Sequence, residues 1–330
     1  MQLVLDTKGI VVKKRNNCFH LKTDKHERLI SPQRVSSIAI TSYCSLTTSA
    51  IRLAIQNGIP IYFINAIGKV EGRLWTGEFG NLSTLRRYQV LIAEKPLILD
   101  WVIRLFTLKT ERQIENIEWM LEKSRLNNSI LQETLSQLQR SKEQFQNITK
   151  PSLKEAYASI LGIEGAAAKA YWEAISACLP LEWQFKERSR QPAKDPFNLL
   201  LNYLYGMLYG LIETAIFTAG LDPYFGIFHA DQYNKPTLCF DMIEPFRPWV
   251  DSFLMEGIMK WEIKDTFFDK MEGGGMVLSK SGKAFFIPLF NNFMAERQML
   301  YQRHFTRKAH IAKEIYDFVD FLKKAFENPQ

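Results

Sequence analysis

The stretch DPFNLLLNYLYGMLYGLIETAIFTAG, Asp195 to Gly220, decides how this chain folds. From Leu199 to Ala219 it is long and apolar enough to span a bilayer, which takes about 20 such residues. It nevertheless carries Asn202 and Glu213, and no cluster of Lys or Arg flanks it. Asp195 suits a helix N-cap, Pro196 the first helical position and Gly220 the end. The stretch therefore predicts a buried core helix, Pro196 to Ala219, in a folded domain rather than a membrane span.

Working outward, the chain on the N-terminal side is helical back to Leu85. Apolar residues recur at three and four residue spacings in Trp101 to Glu122 and in Ile130 to Gln146, with Asn127-Asn128 as a turn between them. Leu153 to Cys178 predicts a third helix, ended by Pro180. Trp183 to Ala193 is polar and basic and reads as a mobile connector. Further upstream, Gly77 to Ser83 is the predicted hinge. The residues before it carry short apolar or alternating runs at Gln2 to Leu5, Ile10 to Lys13, Cys18 to Leu21, Val35 to Ile40, Ile59 to Ile64 and Val70 to Leu74, which predict strands. One helix, Ala50 to Gln56, sits among them, with hydroxyl caps at Ser45 to Ser49 and its end at Asn57-Gly58. Downstream of Asp251, Val277 to Ile287 contains a Ser281-Gly282 turn, and a long final helix runs from about Phe290 to Phe326. The expected fold class is α+β with two domains: residues 1–90, a small N-terminal β-rich domain with its hinge near 77–83, then residues 91–330, a larger all-α catalytic domain.

With 46% hydrophobic and 23% charged residues over 330 positions, the composition is that of a globular chain and excludes disorder as its main state. The net charge of +7 arises almost wholly before residue 96, so the basic excess belongs to the β-rich third. That asymmetry fits a polyanionic partner and equally fits a merely soluble basic surface. Cys18, Cys44, Cys178 and Cys239 stand far apart, which indicates neither a zinc ribbon nor a disulfide framework. With no signal-like run after Met1, the expected location is the cytoplasm.

Immediately after Gly220 the chain concentrates groups capable of chemistry. His229 is flanked by aromatics, and Asp241, Glu244 and Arg247 follow at spacings of three within Phe240 to Asp251. Charges among apolar residues cost several kcal/mol unless paired or bound to a metal. An imidazole with carboxylates suits Mn²⁺ or Mg²⁺ better than a thiolate zinc site would. Glu164 lies in Leu161 to Ala170 among glycines and alanines, although each glycine costs a helix interior about 1 kcal/mol relative to alanine. Either a closely approaching backbone or ligand compensates, or Glu164 reaches solvent or pairs with Lys169. A core histidine and a solvated D-x-x-E face are the bland alternatives for the other groups. Arg86-Arg87 and Lys109 to Gln113 leave both a phosphate contact and a solvated helix face open, with the solvated face favoured. Arg247, Lys283, Arg303 and Arg307 are the candidate phosphate contacts, with Asp251 as an alternative structural partner for Arg247.

Gly162-Ile163-Glu164-Gly165, the Gly220-Leu221-Asp222-Pro223 turn leading to His229, and Asp241 to Pro248 resemble the three catalytic motifs of the CRISPR-associated integrase family, the larger protein of the spacer-acquisition pair. Ile30-Ser31-Pro32 through Ile61, with Gly68 to Leu74, resemble its N-terminal β domain. The resemblance implies a metal-dependent DNA endonuclease and integrase. Such an enzyme inserts captured fragments into a CRISPR array by attack of a 3′ hydroxyl on a phosphodiester. It implies Glu164, His229 and Glu244 as catalytic metal ligands for Mg²⁺ or Mn²⁺, with Asp241 as a supporting or occasional ligand. It also implies a homodimer, double-stranded DNA as fragment and repeat, and a small ferredoxin-like partner. A non-catalytic nucleic-acid-binding scaffold and a metal-dependent phosphoesterase of small substrates are the competing readings. Pro245 disfavours helical geometry at Glu244.

Overall fold

The computed structural model describes the chain apart from residues 1, 24–25, 36, 65–69, 75–81, 124–127, 191, 230–232, 234, 272–273, 301 and 328–330. It divides into two compact units, Met1–Gly80 and Asn81–Gln330.

In the first unit, β1 (Gln2–Leu5), β5 (Ser37–Ile40), β7 (Ile61–Ile64) and β8 (Val70–Leu74) form one sheet in the order β1-β5-β7-β8. The first three strands are parallel and β8 returns antiparallel. The second sheet has the order β4-β3-β2-β6, built from β2 (Val11–Arg15), β3 (Cys18–Lys22), β4 (Glu27–Ile30) and β6 (Ser45–Leu46). Asn16 and Asn17 both have positive φ, 49° and 58°, between the paired residues Arg15 and Cys18. A two-residue turn of this kind matches the right-handed twist of the strands it joins, and asparagine tolerates it. Helix α1 (Thr48–Gln56) starts at the Thr47 cap, and Gly58, at φ 62°, follows its end. Its Ala50, Leu53 and Ala54 join Leu5, Val12, Phe19, Ile38 and Ile61 in one core. All six expected strands form. β4 escaped the sequence reading because three of its four residues are exposed, and β6 because it has only two.

The second unit begins earlier than expected. Helix α2 (Leu82–Leu91) carries Leu85 and Tyr88 against the helical core, so the stretch up to residue 90 does not belong with the strands. Of the expected hinge, residues 77–81 lie outside the described residues, and the rest is the start of α2. Helices α3 (Ile98–Lys123), α4 (Asn128–Gln146) and α5 (Leu153–Cys178) pack in succession. The expected Asn127-Asn128 turn is described only from Asn128, where α4 begins. The Ser152 hydroxyl accepts the Glu155 N–H and so caps α5.

Helix α6 (Pro196–Thr218) is capped by Asp195 and packs against α7 (Thr237–Met242), α8 (Arg247–Lys260) and α10 (Arg307–Glu327). It is long and apolar enough to cross a membrane by composition, but ten of its residues are buried in this unit. Asn198, Asn202, Tyr205 and Tyr209, at spacings of four, three and four, form a polar stripe along it. Asn198 and Asn202 hold the segment before the helix: Asn202 Nδ2 donates to Ser189 O at 2.9 Å and to Arg190 O at 2.6 Å. Arg188 donates to Asn202 and lies over Trp172, while Trp183 and Phe185 are buried. The expected mobile connector is therefore a tethered one.

The end of the chain also differs from expectation. α9 (Lys280–Ala295) and α10 are separate helices, split by the hairpin of β11 (Arg297–Leu300) and β12 (Arg303–Thr306). A second hairpin, β9 (Phe268–Lys270) with β10 (Met276–Leu278), precedes α9. Gly282 lies within α9 rather than at a turn, packed so closely that a Cβ there would come within 2.5 Å of Phe267 O. The larger unit is thus helical with two small hairpins.

Candidate active site

Glu244 and Asp241 are placed by a break in the helical chain. Between α7 and α8, Glu244 to Phe246 form a single 3₁₀ turn, where Pro245 and Pro248 lack the N–H groups that a continuous α-helix would need, and this turn packs against α3. Arg112 of α3 fixes the turn by donating to Pro245 O, with its guanidinium over the rings of Phe246 and Trp249. Asn116, one turn further along, donates to Pro248 O at 2.8 Å.

Asp241 is buried and organises the loop before α7. Its Oδ2 accepts from Ile227 N and Phe228 N at 2.6 and 3.2 Å, and its Oδ1 from His229 N at 2.9 Å. His229 Nδ1 lies 2.7 Å from the same Oδ1. Since a carboxylate only accepts, the ring donates from Nδ1 and leaves Nε2 as its remaining nitrogen for a ligand. Gly226 makes the loop possible, because a Cβ there would meet His229 O at 2.5 Å and the Thr237 side chain at 2.8 Å. Gln89 pins the start of the loop through Asp222 N, Asp222 O and Phe225 O. Asp241 is thus fully engaged as the support of His229 and its loop.

The two glutamates meet at a cation that the sequence reading placed on a solvated face. Lys109 of α3 is buried; its Nζ donates to Glu164 Oε1 at 2.6 Å and lies 2.7 Å from Glu244 Oε2. The contact with Glu244 is a close ion pair without ideal hydrogen-bond alignment. Arg247 Nε donates to Glu244 Oε1 at 2.8 Å, its Nη2 donates to the Tyr209 hydroxyl at 2.6 Å, and its guanidinium lies over the Tyr205 ring. Burial by itself would raise the Glu244 pKa, but Arg247 and Lys109 reverse the effect and hold it down at about 2. Burial likewise works against the charge on Lys109, and the two glutamates more than offset it, so its pKa is raised. Glu164 pairs with Lys109, not Lys169, and Arg247 with Glu244, not Asp251. The positions where Gly162 and Gly165 would carry a Cβ face open space, so no neighbour in the chain requires these glycines.

Asp251 belongs to a buried network behind this turn. Tyr205 donates to its Oδ1 at 2.5 Å and Tyr171 to its Oδ2 at 3.1 Å, and Asn116 donates to the Tyr171 hydroxyl at 2.7 Å. The α6 stripe thus supports both Arg247 and Asp251.

The other expected phosphate contacts do not join this cluster. Arg307 pairs with Glu296, donates to Phe293 O and stacks over the Phe293 ring. Arg303 is exposed at the start of β12, and Lys283 is half-buried in the first turn of α9. Lys109, Arg112, Asn116 and Tyr209 were missed as site residues. Their signal was present only as charged and polar residues at helical spacing beside apolar ones.

Among the described residues no three His, Cys, Asp or Glu side chains are drawn together as a preformed metal cage. The donor set still fits a hard divalent cation: a carboxylate pair gathered about one positive charge, and an imidazole fixed through its other nitrogen. Fold and site together define a two-unit α+β protein whose helical unit gathers Glu164 and Glu244 about the Lys109 ammonium. The sequence profile described as CRISPR associated protein Cas1 matches residues 3–292, and the chain belongs to that family. It is 24% identical over 329 residues to the CRISPR-associated endonuclease Cas1 of Korarchaeum cryptofilum, covering 97% of this chain and 94% of the relative. Its fold is similar to the Cas1 protein from Thermotoga maritima, with a TM-score of 0.76, 21% identity and 98% and 97% of the two chains covered. It is also similar to a casposase bound to integration product, with a TM-score of 0.79, 22% identity and 99% and 92% covered.

Proposed function

We propose that this chain is a metal-dependent DNA endonuclease and integrase that inserts captured DNA fragments into a CRISPR array. The observation that carries this reading is the meeting of Glu164 and Glu244 at one buried cation position, together with a histidine oriented by Asp241. Family membership and the likeness to a casposase bound to integration product support it.

Glu164, Glu244 and the Nε2 of His229 would hold Mg²⁺ or Mn²⁺. When bound, such an ion supplies neutralisation of phosphate charge and activation of the attacking 3′ hydroxyl. Glu244 stays ionised at any physiological pH because Arg247 and Lys109 hold its pKa at about 2, against the cost of burial. Asp241 keeps the His229 ring in one tautomer and one orientation, so that Nε2 and not Nδ1 is presented. The aromatic rings of Phe228 and Phe240 stand edge-on to the imidazole and limit its rotation. Glu164 and His229 are the accessible members, with side chains 28% and 37% exposed, whereas Glu244 and Asp241 are buried. The substrate therefore approaches from the Glu164 and His229 side. With water in place of the 3′ hydroxyl the same centre acts as a nuclease. A second copy of the chain and a small ferredoxin-like partner complete the proposed assembly.

The test is strand transfer of a 3′-hydroxyl fragment into repeat-bearing DNA with Mn²⁺ or Mg²⁺. His229→Ala and Glu164→Gln abolish transfer, yet they bind DNA with the wild-type salt dependence, because phosphate contacts set that slope. A wild-type protein that binds DNA without metal-dependent transfer is a scaffold instead. One that turns over a small phosphoester and ignores branched DNA is a phosphoesterase.

A further inference from the structure

We infer that Lys109 is a tethered counter-ion that occupies the cation position between Glu164 and Glu244 and must swing out when a divalent ion binds. The inference rests on the metal reading of the site given above. Two carboxylates facing one space, Glu244 buried and Glu164 partly so, repel each other unless a positive charge lies between them, and here the Lys109 ammonium does so, at 2.6 and 2.7 Å.

The two cations that touch Glu244 are built differently. Arg247 is pinned: it donates to Glu244 and Tyr209, and its guanidinium lies over Tyr205 and Tyr209. Lys109 makes one aligned hydrogen bond, to Glu164, which is itself partly exposed; its contact with Glu244 is unaligned. Its only described ring contact is a distant one, 5.8 Å from the Phe106 centroid. An ammonium on a four-carbon stem swings away more readily than a stacked, doubly bonded guanidinium. A divalent ion held by Glu164 and Glu244 would bring twice the charge into the space that the ammonium fills, so ion and ammonium would exclude each other. Arg247 remains behind in either state and keeps Glu244 compensated.

Apparent metal affinity is then reduced by the fraction of molecules in which Lys109 has left the pair, and removing the ammonium restores it. Lys109→Met keeps the stem length and deletes the charge. Calorimetric titration of Mn²⁺ into the full-length protein without DNA should show Lys109→Met binding about tenfold tighter than wild type, as expected if the pair is open in about a tenth of molecules. Equal or weaker binding overturns the inference and leaves the metal reading standing. Absence of Mn²⁺ binding in both proteins overturns the metal reading and this inference with it. A second measurement uses only the wild type: labelling of lysine amines, read by mass spectrometry with and without Mn²⁺. Lys109, protected in the metal-free protein, should become reactive as Mn²⁺ saturates. Labelling of Lys109 that Mn²⁺ leaves unchanged or lowers overturns the displacement.

Discussion

Asp241 Oδ1 receives both the backbone N–H and the ring Nδ1 of His229, at 2.9 and 2.7 Å. One carboxylate oxygen therefore fixes where the residue is and which way its imidazole faces, while Oδ2 holds the two preceding amides. This arrangement makes Asp241 the support of the histidine. Asp241→Ala strands up to three buried amides at about 1–3 kcal/mol each. A loss on the order of 3 kcal/mol or more is expected in urea unfolding, together with loss of strand transfer. An unchanged unfolding midpoint would contradict this role.

Arg247 is expected to tolerate no conservative replacement. Removing one partner of a buried ion pair costs about 3–5 kcal/mol, so Arg247→Met should destabilise the protein by that order. Arg247→Lys should recover only part of it, because an ammonium does not bond Glu244 and Tyr209 in a fork while stacking on Tyr205. Denaturant unfolding of both variants checks the order.

Asp251 gives a pH signature. Burial pushes its pKa up from 3.8 to about 6, and the hydroxyls of Tyr205 and Tyr171 together with Arg188 only partly offset the shift. Between those values the folded protein keeps a proton that the unfolded chain has released, so this group's contribution to stability falls as pH rises from about 4 to 6. The fall is on the order of 3 kcal/mol, and Asp251→Asn removes it. The difference in unfolding free energy between wild type and Asp251→Asn should therefore drift across that window in favour of the variant and be flat above it. A constant difference from pH 4 to 7 would refute the assignment.

The β-rich unit is expected to build the homodimer. Phe63 on β7 and Leu74 on the edge strand β8 lie on one face of the pair and remain exposed, at 40% and 37%. Apolar residues at an open edge are ready for pairing or packing across a two-fold axis. Light scattering at micromolar concentration should give a dimer for the wild type and a monomer for Phe63→Glu with Leu74→Glu. A dimer that survives both changes would move the interface elsewhere.

Local chemistry alone determined much of this protein. The boundaries of α5 follow from its apolar spacing, with Ser152 capping its start and Pro180 just beyond its end, and those of α6 from Asp195, Pro196 and Gly220. The break in the α-helix at Glu244 follows from Pro245. These are interactions among residues a few positions apart, and such interactions are written into the order of the chain. Where neighbours in sequence carried no contrast, the reading failed: the apolar spacing from Phe290 to Phe326 continues through a hairpin that breaks it into two helices. Glu164, His229, Asp241 and Glu244 stood out because a charge or imidazole among apolar or small residues needs a reason. Lys109 and Arg112 did not, since basic residues at helical spacing usually face water. Only the tertiary structure turned them inward. It brought Glu164 and Glu244 from segments far along the chain to the ammonium of Lys109, and the attraction of opposite charges in a buried space is what holds them there.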